Sequence, residues 1–123
     1  MILVIGGAYQ GKLDYVKKEY NLSDEDVFSY EEGKSIETDR KVIYGLEKYS
    51  LSCVKEGLLP EEEIRKTDLE DKIVIVNDIS CGIVPMDKTE RAWREGNGRM
   101  VTALALKAEI VIRVFCGIPC RLK

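Results

Sequence analysis

Apolar positions along the chain follow two patterns: short unbroken runs, and longer stretches repeating at three- and four-residue steps. Residues 2–5 (ILVI) are an unbroken apolar run, which predicts a central parallel strand buried on both faces. A glycine-rich bend comes next, then a helical pattern over about residues 11–20. After the acidic turn Ser23-Asp24-Glu25-Asp26, residues 27–30 (VFSY) predict a short second strand, and residues 31–35 (EEGKS) read as a loop. From residue 36 to about 56, Val42, Ile43, Leu46, Tyr49, Cys53 and Val54 recur mostly at helical spacing. They predict one long amphipathic helix stopped near Gly57 and Pro60, with Tyr44 and Tyr49 as core or rim residues.

Pro60 to Glu63 begins a short acidic helix or turn. Residues 72–76 (KIVIV) predict the clearest strand, ending in the polar pair Asn77-Asp78. A loop occupies residues 80–85. Asp87, with Glu90 three residues on, then offers a capping box for a helix reaching about Lys107. Ala92, Trp93, Met100, Val101, Leu104 and Ala108 make its expected buried stripe. Gly96 and Gly98 interrupt it at a cost of about 1 kcal/mol each relative to alanine, which predicts a bend or a close backbone approach. Residues 109–115 form a last strand and residues 116–123 a short tail. Strands alternating with helices predict an α/β fold, a parallel sheet with right-handed crossovers and helices on both faces.

Composition narrows the class. The 123 residues, 45% apolar and 33% charged, suit a single globular domain spanning residues 1–123. A net charge of -3 and the lack of a basic run give no nucleic-acid footprint. No apolar run approaches the ~18 residues of a membrane span. The MILVIGG start lacks a basic region and is too short for a signal peptide, so the expected location is the cytoplasm. Cys53, Cys81, Cys116 and Cys120 then read as reduced thiols. Cys116 and Cys120 stand at C-x3-C spacing without a second close pair, and read as small apolar residues rather than a zinc site. Histidine is absent, which removes histidine nucleophiles, bases and metal ligands.

The candidate chemistry lies at strand ends, where open α/β sheets bind ligands. The first strand runs into Gly6, Gly7, Ala8, Tyr9, Gln10, Gly11, Lys12 and Leu13, the G-x-x-x-x-G-K layout of a phosphate-binding loop with leucine at the hydroxyl position. The glycines let backbone N–H groups converge on an anion, and the helix start adds partial positive charge. Lys12 would place an ammonium beside the β- and γ-phosphates. Leu13 offers no oxygen to Mg²⁺, and water would have to replace that ligand. Asp78 is the candidate acidic half of the site: it would hold a metal-bound water or accept a proton from an attacking hydroxyl. A loop aspartate capping local N–H groups is the competing reading.

These motifs together resemble one family. GGAYQGK after a buried strand, N-D-I-S-C-G-I-V-P over residues 77–85, R-A-W-R-E followed by Gly98-Arg99, and residues 110–123 ending G-I-P-C-R-L-K are similar to the adenosylcobinamide kinase/adenosylcobinamide-phosphate guanylyltransferase family. The likeness covers residues 1–20 and 72–123. It implies a P-loop NTPase-like fold, ATP or GTP with Mg²⁺ as ligands, a corrinoid substrate, a place in cobalamin biosynthesis and a homo-oligomer, a trimer. The departures are specific. The family's guanylyl transfer uses a histidine, absent here; its arginine-serine pair is Tyr9-Gln10; its glutamate after asparagine is Asp78; and its asparagine-glutamine pair is Val101-Thr102. A strand-plus-aspartate segment usual in the family is expected to be missing between residues 31 and 71. The resemblance thus implies a nucleotide-binding, kinase-like protein without guanylyltransferase activity. The alternative is a non-catalytic paralogue acting as a nucleotide- or corrin-binding or structural subunit.

Overall fold

A computed structural model describes residues 1–79 and 87–123. Its centre is a six-stranded sheet in the order β2-β3-β4-β1-β5-β6. The strands are β1 (Ile2–Gly6), β2 (Val27–Ser29), β3 (Val42–Tyr44), β4 (Ile73–Asn77), β5 (Ile110–Phe115) and β6 (Ile118–Arg121). β1 pairs in parallel with β4 and β5, and β3 in parallel with β2 and β4; only β6 runs antiparallel to its neighbour. Four α-helices connect them: α1 (Lys12–Glu19), α2 (Leu46–Lys55), α3 (Pro60–Glu63) and α4 (Lys88–Lys107).

Successive side chains on a strand point to opposite faces, so the apolar runs must feed two cores. Leu3, Val74, Val76 and Val111 pack with Leu46 of α2 and with Met100 and Leu104 of α4. Val4, Ile73, Ile75, Ile112 and Val114 pack with Val16 of α1 on the other face. The expected α/β sheet with helices on both faces is present, and the strand at its middle is apolar on both sides.

Two expected elements differ. Residues 36–56 are not one helix: Val42, Ile43 and Tyr44 form β3, and the helix starts only at Leu46. The adjacent Val42 and Ile43 are both fully buried, in opposite cores, as a strand requires and a one-faced helix does not. Gly45, at φ +82, makes the turn between strand and helix. The strand expected to be missing before β4 is therefore present, without an aspartate at its end. The short tail is likewise a strand. Cys116 and Gly117 both have positive φ, the signature of a two-residue hairpin turn of the I′ type, which pairs Phe115 with Ile118.

Of the capping box expected at the start of α4, the Asp87 half is present. The Asp87 side chain accepts the N–H groups of Thr89 and Glu90 at 2.6 and 3.4 Å and caps α4. The helix runs unbroken through both glycines. Gly96 answers to a close approach, since a Cβ there would lie 3.1 Å from the Pro60 ring at the start of α3; Gly98 has no such neighbour. Ala92, expected in the buried stripe, is exposed, and Asn97 is buried instead. Cys116 and Cys120 are exposed free thiols, and the described residues contain no cluster of three or more metal-ligating side chains. No described helix is long and apolar enough to cross a membrane. The expected loop over residues 80–85, with its G-I-V-P, lies outside the described residues.

Candidate phosphate site

The loop between β1 and α1 is held at both ends. The Gly6 carbonyl accepts the Asp78 N–H at 2.7 Å, tying the end of β1 to the end of β4. A Cβ on Gly6 would lie 2.4 Å from the Val114 carbonyl oxygen, so only glycine lets β1 leave the sheet so close to β5. At the far end Gly11 caps α1 at φ +86, and its carbonyl accepts the Tyr15 N–H. Gln10 joins the loop to the β5–β6 turn: its side-chain Oε1 accepts the Cys116 N–H at 2.6 Å and its carbonyl the Gly117 N–H at 2.8 Å. Tyr9, at the loop tip, is fully exposed and has a left-handed backbone at φ +61.

Lys12 opens α1 and is only 4% exposed. Its Nζ donates to the Gly7 carbonyl at 2.6 Å, which folds the ammonium back over the loop. Burial lowers its pKa from the ordinary 10.5, while the charge of Glu47 works the other way. A helix N-terminus, a glycine-rich turn and a buried ammonium converge here, an arrangement suited to a phosphate. They border a cavity of about 460 Å³ that also touches Leu13, Tyr44, Glu47 and Asn77.

The candidate residues do not all meet. The run from Ala8 to Leu13, Lys12 included, lines this cavity, whereas the exposed Asp78 borders a separate cleft of about 190 Å³ beside Arg94 and Asn97 of α4. Leu13 touches the cavity but also packs against the Val4–Val16 core. The buried carboxylate facing Lys12 is Glu47, in the first turn of α2. Helical periodicity conceals it as one of two polar letters between Leu46 and Tyr49. Its position just past a strand and a glycine is the only signal the sequence offers, and that signal depends on seeing β3.

Glu47 is held by a chain of buried and part-buried hydrogen bonds. Its carboxylate accepts the Asn77 backbone N–H at 3.0 Å and the Asn77 side-chain amide at 3.4 Å. The Asn77 carbonyl accepts from Asn97 Nδ2 at 3.2 Å, and Asn97 Oδ1 accepts the Ser50 hydroxyl at 2.7 Å. Trp93 Nε1 donates to the Glu47 carbonyl at 2.8 Å. Removing one member strands its partners without water, at about 1–3 kcal/mol. Asn97→Ala is therefore expected to destabilise the chain by about 2 kcal/mol in urea unfolding, whereas Gly98→Ala, whose Cβ would meet open space inside α4, should stabilise it by up to about 1 kcal/mol.

No curated protein matches the chain. A family model described as cobinamide kinase / cobinamide phosphate guanyltransferase matches residues 53–122, more than half of the 123 residues. The matched span takes in β4, α4 and the β5–β6 hairpin; the glycine-rich loop lies before it. This supports a cobinamide kinase/guanyltransferase-like function in cobalamin biosynthesis. The chain belongs to the cobinamide kinase / cobinamide phosphate guanyltransferase family.

Proposed function

We propose that the chain binds the phosphates of a purine nucleotide, ATP or GTP, through Gly6 to Lys12, and that any turnover is kinase chemistry on a cobinamide-type corrinoid. The observation that carries this reading is the buried Lys12 ammonium at the N-terminus of α1, folded onto Gly7 beside the loop cavity. A buried cation without a carboxylate partner in direct contact is costly, and a phosphate would relieve that cost. Lys12 steadies the β- and γ-phosphates in this reading. Asp78, at the tip of β4 with its backbone tied to Gly6, serves the attacking hydroxyl from its neighbouring cleft.

Mg²⁺ would come with the nucleotide and neutralise charge between the phosphates. It binds through one or two carboxylates, water and phosphate oxygens, so the loss of an oxygen at Leu13 does not by itself remove it. Guanylyl transfer through a histidine has no residue to run on here. The exposed apolar side chains Phe115, Ile118 and Leu122 along the β5–β6 edge support a homo-oligomer.

One observation favours a non-catalytic binding subunit instead: Leu13 gives part of its surface to the core, where a hydroxyl would serve the metal. Turnover separates the two readings. Purified chain incubated with cobinamide, Mg²⁺ and γ-labelled ATP or GTP is expected to transfer label to the corrinoid without forming a guanylylated product. Saturable nucleotide binding with no label transfer would favour the non-catalytic subunit.

A further inference from the structure

Leu13 removes an oxygen from the loop side of the cavity, and the opposite wall supplies one. Glu47 is 7% exposed, yet its side chain borders the same cavity as Lys12 and Leu13. Burying a carboxylate is costly unless it is hydrogen-bonded and faces a charge. Both its oxygens accept from Asn77, and its main chain is fixed by Trp93. Among the described residues it makes no direct ion pair with Lys12; the two charges face one cavity without touching. Each carboxylate oxygen has a second lone pair beyond the one given to Asn77. Asp14 also borders the cavity, but it is exposed, and among the described residues no hydrogen bond fixes its side chain.

We infer that Glu47 is the metal-side carboxylate of the phosphate site, holding a divalent cation, directly or through its water, against the phosphates that Lys12 binds. It replaces from α2 the oxygen that the loop lacks at Leu13. This assignment rests on the nucleotide-binding reading above and adds the residue on which cation dependence turns. Asn77, Ser50, Trp93 and Asn97 are positioning residues, which fix the angle at which the carboxylate enters the cavity.

The test is a nucleotide titration of the full chain with Mg²⁺ and with excess EDTA. For the unmodified chain, Mg²⁺ tightens binding at least about tenfold. Glu47→Gln keeps the shape and one acceptor for Asn77; its affinity in EDTA stays the same or improves, because a negative charge near phosphate is gone, and the Mg²⁺ gain disappears. Should Glu47→Gln not fold, Glu47→Asp is read instead, and its Mg²⁺ gain falls several-fold because the carboxylate is withdrawn by one methylene. Full retention of the gain in either folded variant overturns the assignment, as does its loss in Asp78→Asn or Asp14→Asn with retention in Glu47→Gln. Metal-independent binding by the unmodified chain overturns the assignment but leaves the nucleotide site standing. No binding under either condition removes both.

Discussion

Replacing Lys12 with methionine is expected to cost about two orders of magnitude in nucleotide affinity while leaving the free protein as stable as before, or more so. A charge-assisted hydrogen bond to phosphate contributes about 1.5–3 kcal/mol, the upper end of which is about two orders of magnitude in affinity. In the free chain the same ammonium is a burden. Lys12 as a residue is 4% exposed, and among the described residues its ammonium has one hydrogen bond, to the Gly7 carbonyl. Methionine fills the same channel without desolvating a charge, and Gly7 is exposed enough for its carbonyl to turn to water. The pH dependence carries a definite sign. Lys12 has its pKa lowered in the folded state from 10.5, so its protonated form opposes folding below that lowered value, and the penalty fades as pH rises toward 10.5. The stability advantage of Lys12→Met should therefore shrink on the alkaline side. Thermal melts of both proteins across pH, with and without nucleotide, measure all of this. A variant that loses binding only because it unfolds would contradict it.

Gly6→Ala should be the most damaging single methyl group in the phosphate loop. Its Cβ would stand 2.4 Å from the Val114 carbonyl oxygen, which is backbone of β5 and has no side chain to swing aside. Either β1 and β5 separate or the loop shifts, and overpacking of this kind costs about 3 kcal/mol. In a chain of this size that lowers the melting temperature by about 10 °C. Gly7→Ala is the internal comparison. Its Cβ would meet only the Gln10 side chain, at 3.7 Å, an ordinary contact, and the expected loss is under about 0.5 kcal/mol. Equal losses in the two variants would mean that the contact with β5 does not set the path of the loop.

The parts legible in the sequence were those with a local cause. The run Ile2 to Ile5 and the β-branched Ile73 to Val76 announced buried strands because nothing else keeps such side chains dry on both faces. Asp87 announced the start of α4 because a short acidic side chain satisfies free N–H groups there. What stayed hidden depended on distant residues. Val42 and Ile43 imitate part of a helical stripe, and only their division between two cores reveals β3. Missing β3 also hid Glu47, since a glutamate inside a long helix gives no hint that it sits at a strand end opposite Lys12. Ser50 and Asn97 are 47 residues apart in the chain and meet only when α2 packs on α4. Asp78 stands at a strand tip, as the sequence pattern indicates, but nothing in that pattern tells which of two clefts it borders.

Isothermal titration calorimetry of the unmodified chain with ATP and with GTP, in the presence of Mg²⁺, tests the phosphate site most directly. The account predicts saturable binding of at least one of the two nucleotides, one per chain, weakened by about two orders of magnitude in Lys12→Met protein that remains folded. No binding of either nucleotide, or binding that Lys12→Met leaves unchanged, would contradict it.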